Sequence, residues 1–399
     1  MSLRIDDLVE YESVEIALDD HRARRLGAAS GGALTVATTA RSGHWRLTAS
    51  SKVGTLVIDD MTVLIRPKIR PENLFLLLEV GLPPDAWRRE AFDYSTNADL
   101  LPSIVAFFAR TLETTLGRGV VRNYRAHEER LVALRGRIDM PAQFRTAGIR
   151  VPVACRFDEY TADTDENRYL RAAVRLAMRV PRVAAEDRRR LMHQLVALEE
   201  AADVAVVADD LDRIAITRLN AHYEPALRLA RLLLANLTLV DQRGQSTAAS
   251  FMVDMPHLFE RFVTSRLRRA LAGRLDVWDQ YPTSLGERRQ IPMRPDLVFK
   301  RRDVPVFVGD IKYKLTSDAV GRQPDYYQLL AYTTALDLPE GVLIYCLTEG
   351  GRPERSVTIR HAGKVLHTLA IDLTGPPESV DQEIRATADW IATRARVLV

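Results

Sequence analysis

Over the first 95 residues the apolar positions come in short alternating runs: Val14 to Leu18, Ala33 to Val36, Trp45 to Thr48, Gly54 to Ile58 and Thr62 to Ile65. Asp, Gly and Ser separate them, the pattern of half-buried strands joined by turns. Asp59 and Asp60 between the last two runs predict a hairpin, and Pro71 to Val80 predicts a closing helix. From residue 96 the period lengthens to that of helices. Leu101 to Leu116, Thr164 to Val180, Ala184 to Asp203 and Tyr223 to Leu237 read as helices, with strands at Leu131 to Met140 and Val151 to Phe157. The polar stretch Gln242 to Ser250 reads as a linker. Beyond it come a helix from Pro256 to near Gly273, strands at Leu297 to Phe299 and Pro305 to Val308, a helix from Asp325 and a strand at Val342 to Cys346. Two strands (Val357 to Ile359, Val365 to Ile371) and a helix from Ser379 to about Arg396 close the chain. The pattern predicts an α/β, multidomain protein: a β-rich domain over 1–95, a mostly helical region over 96–245 and a mixed α/β domain over 246–399.

Composition narrows this only slightly. A chain of 399 residues, 47% hydrophobic and 27% charged, is ordinary globular protein and too long for one core. A net charge of +3 leaves any affinity for nucleic acid to local patches. Two cysteines, Cys155 and Cys346, cannot build a disulfide framework or a four-cysteine metal site. The start lacks the apolar core of a signal peptide, and no run is long enough to span a bilayer, so the expected location is the cytoplasm with no membrane partner. No Gly-x-x-x-x-Gly-Lys-Ser/Thr loop occurs, so the chain itself is expected to hold no nucleoside triphosphate.

The chemistry concentrates in two strands. In Gly309 to Lys314 the alternation of a strand puts Asp310 and Lys312 on one face, with Ile311 and Tyr313 on the other. Asp296 heads the preceding apolar run, and a hairpin over Lys300 to Asp303 folds it towards Asp310 and Lys312. Lysine is rare here: six lysines stand among 56 basic residues, so solvated positive charge is otherwise written as arginine. An ammonium can have its pKa moved by its surroundings, which a guanidinium cannot usefully do. Two carboxylates and an ammonium together suit a divalent cation and a water to be activated; a salt-bridged strand face is the plain alternative. Glu260 lies on the helix before the hairpin. Gln328 and Tyr332 lie four apart on the helix after it, hence on one face.

The ordered set of Glu260, Asp296, Asp310 with Lys312, and Gln328 with Tyr332 resembles the PD-(D/E)xK nuclease superfamily in its RecB-like branch. Four further stretches resemble the McrC family, the nuclease subunits of McrBC-type, modification-dependent restriction systems. They are Val63 to Ile69 with Asn73 and Leu74; Leu134 to Ile138; Phe157 to Thr161 with Asp165 to Arg168; and Asp254 to Val263.

The resemblance implies a C-terminal nuclease domain with a central mixed sheet flanked by helices. It implies Mg²⁺ as cofactor, with Mn²⁺ as a substitute, held by Asp296, Asp310 and the carbonyl of Ile311. Lys312 would position and help deprotonate the attacking water, its pKa lowered beside the metal. Glu260 would supply an outer carboxylate, Gln328 and Tyr332 would orient substrate or metal shell, and Arg294 would reach a scissile phosphate. The implied partners are DNA and an AAA+ GTPase resembling McrB, a hexameric ring contacted through residues 1–95. Those residues would then be removable without unfolding the nuclease domain. Two other readings of the same residues stay open: a stand-alone RecB-like repair nuclease, and a non-catalytic adaptor that binds DNA or activates a GTPase.

Overall fold

The computed structural model describes residues 3–78, 100–145, 151–240, 248–316, 323–347 and 354–397. The domain boundary expected at residue 95 and most of the linker at 242–250 lie outside these residues. The chain divides into two compact units, one holding residues 3–78 together with 252–397, the other holding residues 100–251. The three-part reading treats the N-terminal and C-terminal segments as separate domains; in the structure they share one unit. The contacts that join them are between residues some 300 positions apart, beyond the reach of any local pattern.

The N-terminal segment runs β1 (Leu3–Val9), β2 (Ser13–Ala17), α1 (Asp20–Ala29), β3 (Leu34–Thr38), β4 (His44–Ala49), β5 (Lys52–Ile58), β6 (Met61–Arg66) and α2 (Pro71–Leu78). β5 and β6 form the expected hairpin, with Ile58 opposite Met61 and Asp59 in the left-handed region. β1 adds to β6 in parallel, and β4 pairs with both β2 and β3. Helix α1 interrupts the strands where no helix is expected. Asp19 caps it by accepting from the Arg22 N–H, and only Ala23 and Leu26 are buried along it.

The second unit carries α3 (Leu100–Gly117), β7 (Asn123–Leu131), β8 (Arg137–Ile138), α4 (Met140–Phe144), β9 (Val153–Thr161), α5 (Asp165–Met178), α6 (Ala185–Ala197), α7 (Glu224–Asn236), β10 (Leu237–Val240) and most of β11 (Ala248–Asp254). The expected strand at Leu131 to Met140 is only β8, because Gly136 turns the chain there. With φ at +70° it lies so close to β9 that a Cβ would sit 2.3 Å from the Arg156 carbonyl oxygen. Thr164 caps α5, and buried Asn167 donates to the carbonyls of Val121 and Ala162.

The C-terminal segment starts with α8 (Met255–Ala270). Asp254 caps it, Pro256 sits in its first turn, and Arg268 and Arg269 lie in its last, as helix electrostatics favour. Then come β12 (Asp276–Asp279), β13 (Thr283–Ser284), β14 (Pro292–Met293), β15 (Leu297–Arg301), β16 (Val304–Thr316), α9 (Gln323–Ala335), β17 (Glu340–Leu347), β18 (Glu354–Ile359), β19 (Lys364–Asp372) and α10 (Pro377–Val397). The sheet order is β12-β15-β16-β17-β19-β18. β12, β15 and β16 are antiparallel, while β16, β17 and β19 are parallel, so the sheet is mixed.

One face carries α9 over Val298, Val308, Leu343 and Tyr345, with Leu329 and Tyr332 of the helix buried against them. A Cβ at Gly341 would lie 2.8 Å from Thr333 Cγ2, so only glycine lets α9 approach so closely. The opposite face carries α8 and α10: Phe307 meets Trp390 edge-on at 6.0 Å, and Tyr313 meets Phe259 at 5.8 Å. Two helical layers therefore fix β16 from both sides.

Candidate active site

β16 is the third strand of the sheet, covered on both faces, and its alternation places Asp310 and Lys312 on the α9 face as the sequence predicts. Asp310 is 0% exposed. The Lys312 Nζ lies 2.6 Å from its Oδ2 as an ion pair, yet neither carboxylate oxygen has a hydrogen bond of good geometry. Asp296, at the foot of β15, accepts from the Ile311 N–H at 2.9 Å. The hairpin thus brings Asp296, Asp310, Ile311 and Lys312 together.

Gln280, just past the end of β12, is a member the sequence reading misses. Its Nε2 donates to Glu260 Oε1 at 2.8 Å and to Asp296 Oδ1 at 3.1 Å, tying the α8 carboxylate into the cluster. No periodicity marks it; it sits with φ at +47°, outside the strand pattern. Gln328 and Tyr332 are joined to one another rather than to the carboxylates. Gln328 donates to Tyr332 Oη at 2.7 Å, and that hydroxyl donates to the Arg294 carbonyl at 3.4 Å. The pair braces the segment leading to Asp296. It is the Arg294 carbonyl, not its guanidinium, that enters this network.

The electrostatics follow from crowding like charges in a dry place. Burial, then the charge of Asp296, pushes the Asp310 carboxyl up to about 8 against the opposing pull of Lys312. Burial and Asp296 also raise Glu260. For Lys312, burial pulls the ammonium down, but Asp310 and Asp296 outweigh it and the net shift is upward. With two carboxylates facing it and no cation between them, the ammonium is the favoured form; the lowered lysine that the resemblance implies belongs to the metal-bound site. Tyr332 rises to about 12, through burial and the nearby charge of Asp310.

Among the described residues no group of three or more His, Cys, Asp or Glu side chains is arranged to hold a metal ion. The donor set still suits a hard divalent cation. Asp310 presents a buried carboxylate oxygen with no partner, Asp296 stands beside it, and magnesium commonly uses one or two carboxylates and completes its shell with water and substrate oxygens. No described helix is long and apolar enough to cross a membrane.

Fold and site together define a mixed α/β protein with a buried acid–lysine cluster on its central sheet. The family model for the McrBC 5-methylcytosine restriction system component matches residues 47–346, well over half of the chain, and the chain belongs to that family. No curated protein matches the sequence. A solved half-complex of Thermococcus gammatolerans McrB AAA+ hexamers with bound McrC contains a chain similar to this one, at 20% identity and a TM-score of 0.57. The match covers 97% of this chain and 100% of that one. The cryo-EM structure of the Thermococcus gammatolerans McrBC complex matches at 21% identity and a TM-score of 0.45, over 67% of this chain and 88% of the other.

Proposed function

We propose that the chain is the metal-dependent DNA endonuclease subunit of a McrBC-like restriction complex, with a PD-(D/E)xK nuclease core in residues 252–397. The observation that carries this is the buried, unpartnered Asp310 oxygen beside Asp296 and the Lys312 ammonium. Asp296, Asp310 and the Ile311 carbonyl would hold Mg²⁺, which supplies charge neutralisation on the phosphate and an acidified water. Lys312 then holds a water or phosphate oxygen at its Nζ. Gln280 keeps Glu260 and Asp296 at a fixed separation, and Gln328 with Tyr332 fixes the backbone at Arg294. Metal dependence is the test: plasmid cleavage by the assembled complex proceeds with Mg²⁺ or Mn²⁺ and stops in Ca²⁺ or chelator. Undiminished cleavage in chelator contradicts the reading.

The family match supports a ring-forming AAA+ GTPase as partner, since the similar solved assembly is one of McrB hexamers with bound McrC. The N-terminal segment is the contact that the resemblance implies. A specific observation favours the second unit instead: its β7–β9–β8 sheet leaves large side chains uncovered. Tyr124 is 71% exposed and packs at a tilt against exposed Tyr160, the ring centres 5.2 Å apart. Exposed aromatic pairs of this kind are enriched where a protein partner docks.

A further inference from the structure

Lys300 is an almost buried ammonium, 7% exposed. Asp276 stands directly across from it on β12, though the two form no ion pair among the described residues. Its Nζ instead sits 4.2 Å from the ring centre of Trp278 and 4.5 Å from that of Tyr281, while the two rings meet edge-on at 6.4 Å. An ammonium over aromatic faces is held by their quadrupoles, which steady the rings without cancelling the charge. Trp278 is nonetheless 47% exposed, so part of its indole is open to a ligand.

The placement gives the cluster a purpose. Trp278 is cross-strand to Val298, and Val298 belongs to the α9 face of the sheet, the face that bears Asp310 and Lys312. Two residues beyond Trp278, Gln280 already holds Glu260 and Asp296. The loop that follows carries exposed Arg288 and Arg289, which make no ion pair among the described residues, against one acid, Glu287. A half-exposed indole with an ammonium held against it thus lies on the face of the sheet that bears Asp310 and Lys312.

We propose that Trp278, backed by Lys300 and Tyr281, is a nucleotide-stacking subsite for the DNA strand flanking the scissile phosphate. A base lies on the exposed part of the indole, and its phosphate is drawn by the positive charge of Lys300. Stacking on an aromatic side chain tolerates any base, so the subsite grips the strand without reading its sequence. This rests on the nuclease reading and adds a substrate contact to it.

The test is binding of fluorescein-labelled single-stranded and duplex oligonucleotides to the full-length chain in Ca²⁺, followed by anisotropy and by tryptophan emission. Trp278→Ala is expected to weaken single-strand binding roughly five- to a hundredfold. Trp278→Phe, which keeps an aromatic ring, recovers part of the loss but abolishes quenching of the indole emission. Lys300→Met lowers the salt dependence of binding by about one phosphate contact. Wild-type affinity and unchanged quenching in the Trp278 variants overturn the proposal, as does a wild type whose emission no oligonucleotide quenches. The nuclease reading fails separately, if cleavage by the complex survives loss of Asp310.

Discussion

The Tyr313 hydroxyl donates to Glu10 at 2.9 Å across 303 positions of chain, in the buried interior of one unit. Glu10 Oε1 also accepts from the Lys68 N–H at 2.7 Å, while its Oε2 is buried with no hydrogen bond. Tyr313 follows Lys312 on β16, so the strand that carries the candidate chemistry is fastened on its reverse face by the N-terminal segment. Burial lifts the Glu10 carboxyl to about 7, outweighing the hydrogen bonds from Lys68 and Tyr313 that lower it.

A pH dependence follows. The unfolded chain releases the Glu10 proton near 4.5, the folded chain near 7, so between these values the folded state binds more protons. Stability contributed by Glu10 is complete below pH 4.5, falls as pH rises to 7 and is level above it. The size is about 3 kcal/mol at most. Glu10→Gln keeps an oxygen for both donors and removes the buried acid, so urea midpoints measured at pH 5 and pH 8 should draw together. A difference as large as that of the wild type would show that Glu10 is not the titrating group.

The same contacts bear on truncation. Asn73 in α2 donates to the carbonyls of Leu373 and Gly375 at 2.6 and 2.8 Å, a second fastening across the unit. Removing residues 1–78 leaves the Leu373 and Gly375 carbonyls and the Tyr313 hydroxyl without these partners and uncovers the surfaces of α8 and α10 on which α2 packs, so the remaining C-terminal segment is expected to lose cooperative unfolding and become protease-sensitive. The competing expectation is that residues 1–95 can be removed without unfolding the nuclease domain. A truncated chain with an unchanged melting transition would restore it.

Partner coupling separates the two candidate surfaces. The double substitution Tyr124→Ala with Tyr160→Ala removes exposed rings at a stability cost within about 0.5 kcal/mol. GTPase stimulation of the cognate ring is expected to fall several-fold with the melting temperature unchanged. Full stimulation by this variant returns the contact to the N-terminal segment.

Gln280 gives a prediction inside the site. Gln280→Ala leaves Glu260 and Asp296 without the amide that spaces them. Loss of such a supporting bond costs roughly ten- to a hundredfold in metal affinity or activity. The cleavage rate against Mg²⁺ concentration should shift to higher metal, whereas a variant with the wild-type curve would reduce Gln280 to surface packing.

Much of this was legible in the sequence, and the reasons are local. The period of two in Gly309 to Lys314 places Asp310 and Lys312 correctly, and the Lys300 to Asp303 turn brings Asp296 to them. Helices α3, α5, α7, α8 and α10 follow their apolar periods and caps. What stayed hidden depends on distance or on a single side chain. Nothing local marks Glu10, between Val9 and Tyr11, as buried, because its partner Tyr313 lies 303 positions along the chain. Gln280 acts from a bend that has no period, and α1 has too few apolar residues to announce a helix. Lys68 and Asn73, within a segment that carries the family resemblance, prove to hold the unit together through bonds to Glu10 and to the turn after β19.

The central claim is that Asp310 and Lys312 perform phosphodiester hydrolysis. Its most direct test is plasmid cleavage in Mg²⁺ by the complex assembled with its GTPase ring, comparing wild type with Asp310→Asn and Lys312→Arg. Both substitutions are expected to lower the rate by orders of magnitude, while ring binding and the melting transition remain. Arginine should fail because its guanidinium is bulkier and stays protonated. Near wild-type cleavage by the Lys312→Arg or the Asp310→Asn complex would contradict the account.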